Sequence, residues 1–333
     1  MAFGWHRRVA TKLPWHHSAM ANLFGIPIDP LILFFFVGVF ARIAGATFEF
    51  PPAIYQGLAA FLMLAIGLKG GVALHEHANT ELFGHVALAS VLAATLAGAV
   101  FFVLRNAFRC EREQAATLAA HYGSVSVVTY AVASNFLATR NIPFESHMPM
   151  LLAVMEVVGI LAALLCLRTR NVAWRALSHD LLISQGIYLL LAGIVVGAIA
   201  GNAGLARIEI GYVQLFPLTL SLYLVELGLV VGKEVGQLRR GLLPLVAFAL
   251  VWPLLGFGVG AFAANAAGMS QGGAFLLGAL CASASYIAAP SAVKAALPNA
   301  SVSTAVVLAL GVTFPFNVVF GLEIYWRVLR TWL

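Results

Sequence analysis

Residues 241 to 293 form a run of 53 positions without a single Asp, Glu, Lys or Arg. A crossing of the bilayer takes about 20 apolar residues, so this run is long enough for two. It is not uniformly apolar. It breaks into Asn265-Ala-Ala-Gly-Met-Ser-Gln-Gly-Gly273 and then into Cys281-Ala-Ser-Ala-Ser-Tyr-Ile-Ala-Ala-Pro-Ser291. Small hydroxyl residues and a proline at bilayer depth free backbone N–H and C=O groups, which lipid excludes unless they are buried in protein or line a polar site. The pattern predicts a helix interrupted within the membrane, in a chain that moves a small polar solute.

Composition agrees. Hydrophobic residues make up 62% and charged residues 10%, against about 25% charge in a soluble domain, and the mean hydropathy is +0.95. A soluble fold is excluded. The length holds roughly ten spans joined by short loops, giving one all-α polytopic membrane domain. Residues 1–29 carry His6, Arg7, Arg8, Lys12, His16 and His17 with no signal-peptide core, so they are expected to form an interfacial N-terminal arm. Cys110, Cys166 and Cys281 have neither CxxC nor paired spacing, so no disulfide framework or thiolate metal site is indicated. The net charge of +6 sits beside apolar spans and suits anionic headgroups rather than nucleic acid.

Hydropathy, charge and Pro/Gly clusters place spans near 30–47, 53–75, 84–105, 114–138 and 148–168, then 181–201, 210–232, 241–263, 270–293 and 300–326. These divide into a first five-helix repeat over 30–169, a cytoplasmic linker over 170–180 and a second repeat over 181–333. With the N-terminus outside, the inner loops hold eleven Lys and Arg residues, from Arg42 to Lys294, and the outer loops hold Lys69, Arg140 and Arg207. Eleven against three puts both termini outside by the positive-inside rule.

The halves echo each other. Gly67-Leu-Lys-Gly-Gly71 and Gly228-Leu-Val-Val-Gly232 close the second and seventh spans 161 positions apart. Tyr122-Gly-Ser-Val-Ser-Val-Val-Thr129 in the fourth span answers Ser283-Ala-Ser-Tyr-Ile-Ala-Ala-Pro290 in the ninth, with Ser126 and Ser283 offset by 157. An odd number of spans per repeat inserts the two copies in opposite senses, as in many secondary transporters. For the GLxxG pairs, close helix packing explains the glycines equally well. The hydroxyl clusters could bond back to their own helices, but both are dense, occupy equivalent spans and, in one case, end in Pro290, which favours a site.

At these residues the chain resembles the SbtA-type sodium-dependent bicarbonate transporters, over most of its length from about Asp29 onward. The resemblance rests on Ile66-Gly-Leu-Lys-Gly-Gly71, His121-Tyr-Gly-Ser-Val-Ser126, Ile142-Pro-Phe-Glu145, Ser283-Ala-Ser-Tyr-Ile-Ala-Ala-Pro290 and Gly311-Val-Thr-Phe-Pro-Phe-Asn317. It implies a bacterial inner-membrane homotrimer whose protomers have ten helices in two inverted five-helix repeats. Bicarbonate and sodium would bind where the broken fourth and ninth helices meet, and a PII-like cytoplasmic protein is an expected regulator. Cyanobacterial members carry three serines and an Asp where this chain has Ser283, Ala284, Ser285 and Tyr286. Their Ser, Gly, Ser, Thr pattern falls on Ser126, Val127, Val128 and Thr129.

The residues expected to bind the anion are Gly123, Ser124, Ser126, Thr129, Ser283, Ser285 and Ala288. The unpaired N–H groups and positive end of a helix that starts in mid-membrane suit a planar oxyanion without a buried Arg. Ser126, Glu156, Ser285 and Tyr286 are expected to take the cation, Na+ as coupling ion. Ionisable groups inside spans are costly, which singles out Glu156 and Glu226, the latter read as a hydrogen-bonded structural carboxyl. His121, one turn before Ser124, is a candidate pH sensor, although a lone histidine more often serves packing. His75-Glu-His77 has no third metal ligand nearby and reads as a solvated interfacial turn. No HExxH, Walker loop or GxSxG occurs, which leaves ATP-driven transport and the common hydrolase chemistries without support. Two alternatives remain: a transporter of another small monovalent anion or carboxylate, and an intramembrane enzyme using His121, Ser124 or Glu156.

Overall fold

The computed structural model describes residues 21–23, 26–28, 30–77, 80–167, 174–235 and 242–332. The expectation for 1–29 therefore falls largely outside the described residues. At the start of the described residues, β1 (Ala21–Leu23) and β2 (Ile26–Ile28) form a short antiparallel hairpin, which leaves the all-α class of the chain unchanged.

All the rest of the regular structure among the described residues is helical. The first half runs through α1 (Pro30–Ile43), α2 (Pro52–His77), α3 (Thr80–Asn106), α4 (Arg112–Tyr122), α5 (Val127–Ala138) and α6 (Met148–Leu165). The short α7 (Trp174–Leu182) lies largely within the expected linker and packs against α11. The second half contains α8 (Gln185–Val235), α9 (Leu243–Ala266), α10 (Gln271–Cys281), α11 (Ala288–Ala296) and α12 (Ser303–Trp332), the last with π-helical turns at Ala309–Thr313 and Asn317–Gly321 on either side of Pro315.

Among the described residues, seven helical stretches are long and apolar enough to cross a membrane. Among the expected spans that do not qualify, α1 has only 14 residues, and the fourth and ninth are each divided in two. Large apolar side chains on the outside, such as Phe40, Phe83, Phe102, Ile199 and Phe262, would be costly in water but are at home against acyl chains. Within α8, Gly201 adopts φ 59 and ψ −175, a backbone that a residue with a Cβ resists. The 51-residue run holds two candidate spans, Gln185–Ile208, which contains this kink, and Gly211–Lys233. His75, expected in a turn, instead belongs to the last turn of α2, and its Nδ1 bonds the Ala198 carbonyl at 2.7 Å.

Packing sorts the helices into two bundles. In one, α1, α2 and α8 meet through glycines. A Cβ on Gly67 or Gly71 would stand 2.2 or 2.1 Å from the Leu190 or Ile194 carbonyl oxygen, and one on Gly228 would stand 2.1 Å from that of Phe35. The GLxxG motifs therefore serve backbone-to-backbone contact. Here too Glu226 accepts the Phe50 N–H at 2.9 Å, and the stacked Tyr55 and Tyr223 rings share a hydroxyl hydrogen bond of 2.8 Å.

The other bundle comprises α3 to α6 and α9 to α12, with both divided spans inside it. Its connection from α5 to α6 docks on the start of α10, where Glu145 accepts from the N–H and hydroxyl of Ser270. Ser270 in turn caps α10 by accepting the Gly273 N–H at 3.1 Å. Beside this contact the stacked His85 and His147 rings are joined through Nδ1 and Nε2 at 2.9 Å.

Candidate functional site at the helix interruptions

The helix stops at Tyr122 and resumes at Val127, and again stops at Cys281 and resumes at Ala288. Small residues press on both gaps. A Cβ on Gly123 would lie 2.4 Å from Ala97 Cα, one on Gly159 would lie 2.1 Å from the Gly123 carbonyl oxygen, and one on Gly256 would lie 2.2 Å from that of Cys281. The gaps are therefore held by neighbouring backbones, with no room for side chains between them.

The two interruptions touch. The Ser126 N–H donates to Ser283 Oγ at 2.8 Å, and that hydroxyl donates to the Leu280 carbonyl at 2.7 Å. The Ser285 N–H donates to the His121 carbonyl at 2.8 Å, a carbonyl at the end of α4. Ser126 also caps α5 by accepting the Thr129 N–H at 3.1 Å, while Ser285 Oγ accepts the Ala289 N–H in α11 at 3.3 Å. Ser124 Oγ donates to the Glu156 carbonyl at 3.2 Å, tying the first gap to α6. Ala288 opens α11 and is buried. The structure thus brings Ser126 and Ser283 into direct contact and gathers Gly123, Ser124, Thr129, Ser285 and Ala288 around them.

Ser124, Ser126, Thr129, Ser283 and Ser285 are at most 3% exposed, so each hydrogen bond there matters, because an unpaired buried polar group costs about 1–3 kcal/mol. The N-terminal ends of α5 and α11, where N–H groups lack helical partners, lie beside the C-terminal ends of α4 and α10, where carbonyls lack them. One end favours an anion and the other a cation. The cavity that reaches the interruptions, lined among others by Val127, Val128, Ile287 and Tyr223, has a volume of about 10 Å³. That is roughly the room of one water molecule, and Ser124, Ser126, Ser283 and Ser285 beside it are paired within the protein.

The expected cation residues lie in the same bundle. Ser126 and Ser285 are engaged as above, and Glu156 is 2% exposed on α6 with no ion pair among the described residues. The Tyr286 hydroxyl faces Ser126 but makes no hydrogen bond of acceptable geometry. His121 is fully buried. Its Nδ1 lies 2.8 Å from the Thr117 carbonyl, which can only accept, so Nδ1 carries the proton and Nε2 is left without a partner.

A second set of residues completes the site, and sequence reasoning had not assigned them. Asn317 donates from Nδ2 to the Ala282 carbonyl at 2.8 Å and accepts the Tyr325 hydroxyl at 2.7 Å. Thr313 donates to the Ala249 carbonyl at 2.8 Å and accepts the Tyr122 hydroxyl at 2.8 Å. Asn317 thus pairs a carbonyl that the second interruption frees. The π turns around Pro315 are where α12 turns these side chains inward, and the cue was a Thr and an Asn flanking a proline inside an apolar span.

The family model described as the Na+-dependent bicarbonate transporter superfamily matches residues 30–330. The chain belongs to this superfamily. No curated protein matches the transporter at a significant level. The match extends over both bundles and both interruptions, and it settles that the protein is a membrane transporter rather than an intramembrane enzyme.

Proposed function

We propose that this transporter is a secondary active symporter that imports bicarbonate with sodium across the bacterial inner membrane, binding the anion where the two helix interruptions meet. The carrying observation is the Ser126 N–H to Ser283 Oγ bond of 2.8 Å. In it the start of α5 is engaged with an oxygen acceptor supplied by the other interruption, which supports the reading that an oxyanion would take that position. Opening of the pair would offer the anion Ser126, Ser283 and Ser285, together with Ser124, Thr129, Gly123 and Ala288 around them. The freed carbonyls of α4 and α10, with Glu156 and Tyr286, suit a cation beside it. Neutralising the pair would lower the cost of carrying either charge across a low-dielectric barrier.

The reading includes ten spans arranged as two inverted five-helix repeats. Two features support it: the equivalent positions of the two interruptions, and reciprocal glycine packing. Gly67 and Gly71 of α2 meet Gly193 and Gly197, whereas Gly228 of α8 meets Gly38 of α1. An even number of spans leaves both termini on one side, outside by the loop charges. Assembly as a homotrimer and control by a PII-like cytoplasmic protein, which the resemblance implies, are further parts of the proposal.

Purified protein in liposomes tests the function. Labelled bicarbonate should accumulate in proportion to an imposed sodium gradient. Accumulation indifferent to sodium would remove the coupling, and uptake of formate or nitrate but not bicarbonate would remove the substrate.

A further inference from the structure

Between the two bundles lies a cavity of about 460 Å³ that is separate from the closed interruptions. One wall is built by Lys69 of α2 with Phe216 and Pro217 of α8, and the other by Tyr130 of α5 with Ser146 and Pro149 around the start of α6. It lies toward the end of the molecule where α2 and α5 finish and α6 begins, which the loop charges assign to the outside. Its inner part touches Tyr130, one helical turn beyond Ser126, whose carbonyl accepts the Tyr130 N–H at 3.0 Å.

The lining is chemically one-sided. No Asp or Glu borders the cavity. The Lys69 ammonium stands 5.0 Å from the Phe216 ring centroid, and among the described residues it has no carboxylate partner. A cation over an aromatic face is held in place without being neutralised, so its charge still acts on the cavity. The hydroxyls of Tyr130 and Ser146 add donors with no hydrogen bond to the described protein. A fixed positive charge between low-dielectric walls concentrates anions and raises their capture rate.

We propose that this cavity is an outer anion vestibule in which Lys69 collects a small monovalent oxyanion, assisted by Tyr130 and Ser146, before the anion passes to the interruptions. The identity of the anion as bicarbonate rests on the proposed function, but the vestibule itself rests on the cavity and its unneutralised amine. Lys69 is thereby a capture residue, and its loss should raise KM without lowering Vmax.

The test has a binding arm and a transport arm. In the first, acylation of Lys69 in the unmutated, reconstituted protein is followed by peptide mass during treatment with a neutral amine-reactive ester. Bicarbonate or formate should slow it several-fold relative to gluconate at the same ionic strength. In the second, Lys69→Gln should raise the KM for bicarbonate on the order of tenfold and flatten its salt dependence, while Lys69→Arg keeps both near the unmutated values. Identical acylation in the two salts overturns the vestibule, and so does an unchanged KM in Lys69→Gln. If Lys69→Gln does not fold, the acylation result decides. Protection by formate in a protein that moves no bicarbonate would leave the vestibule standing and sink the transport reading; sodium-driven uptake without protection would do the reverse.

Discussion

Replacing Ser283 with alanine isolates the contact on which the two interruptions depend. The hydroxyl plays two parts, accepting from the Ser126 N–H at 2.8 Å and donating to the Leu280 carbonyl at 2.7 Å. The carbonyl is not orphaned by the change, because the Ser283 N–H reaches it at 3.0 Å. The Ser126 N–H does lose its acceptor, and Ser126 is only 3% exposed. The cost is therefore that of one buried unpaired donor, about 1–3 kcal/mol, or about 5- to 150-fold in an equilibrium constant. We expect Ser283→Ala to lower the detergent melting temperature and to reduce bicarbonate uptake on the order of tenfold, with membrane insertion unchanged. Melting and uptake curves that overlay those of the unmutated protein would refute the reasoning.

Gly159→Ala drives a Cβ to 2.1 Å from the Gly123 carbonyl oxygen, whereas Gly98→Ala meets nothing within 4 Å. The first should cost about 1–3 kcal/mol and most of the uptake, and the second should be silent; equal behaviour in melting and transport would contradict the packing argument. Tyr286→Phe removes a hydroxyl that has no hydrogen-bond partner, so stability should move by less than about 0.5 kcal/mol while the sodium concentration for half-maximal uptake rises. An unchanged sodium response would take Tyr286 out of the cation site. His147 is held below the usual histidine range by desolvation first and by the His85 charge second. A depressed base costs stability when the freer state takes up the proton, so the docking of the α5–α6 connection should be complete above about pH 6.5 and weaken as the pH falls below it. Melting temperatures of the unmutated protein and His147→Asn across that range should converge at low pH, and parallel curves would count against the pair.

The two interruptions were legible because the forces that cause them are local. Serines, glycines and Pro290 in an otherwise uncharged run cannot sustain a continuous helix in lipid, and the structure divides the chain there. The GLxxG motifs were equally visible, though only three dimensions separate a packing role from a binding one. What sequence could not supply was partnership. Asn317 pairs with Ala282 and Ser285 with His121 across 35 and 164 positions of chain, and no periodicity carries such information. Residues 170–180 read as a plain linker because of their charge, yet α7 forms there and packs on α11. His75 reads as part of a solvated turn for want of a third metal ligand nearby, but α2 continues through it.

The mutual satisfaction of the two interruptions gives the unladen protein a further property. With the Ser126 amide and the Ser283 hydroxyl paired off and a cavity of only about 10 Å³ beside them, this arrangement leaves little room for a continuous file of water. Under the proposed coupling, copies at rest would leak little of the ion gradient that drives uptake.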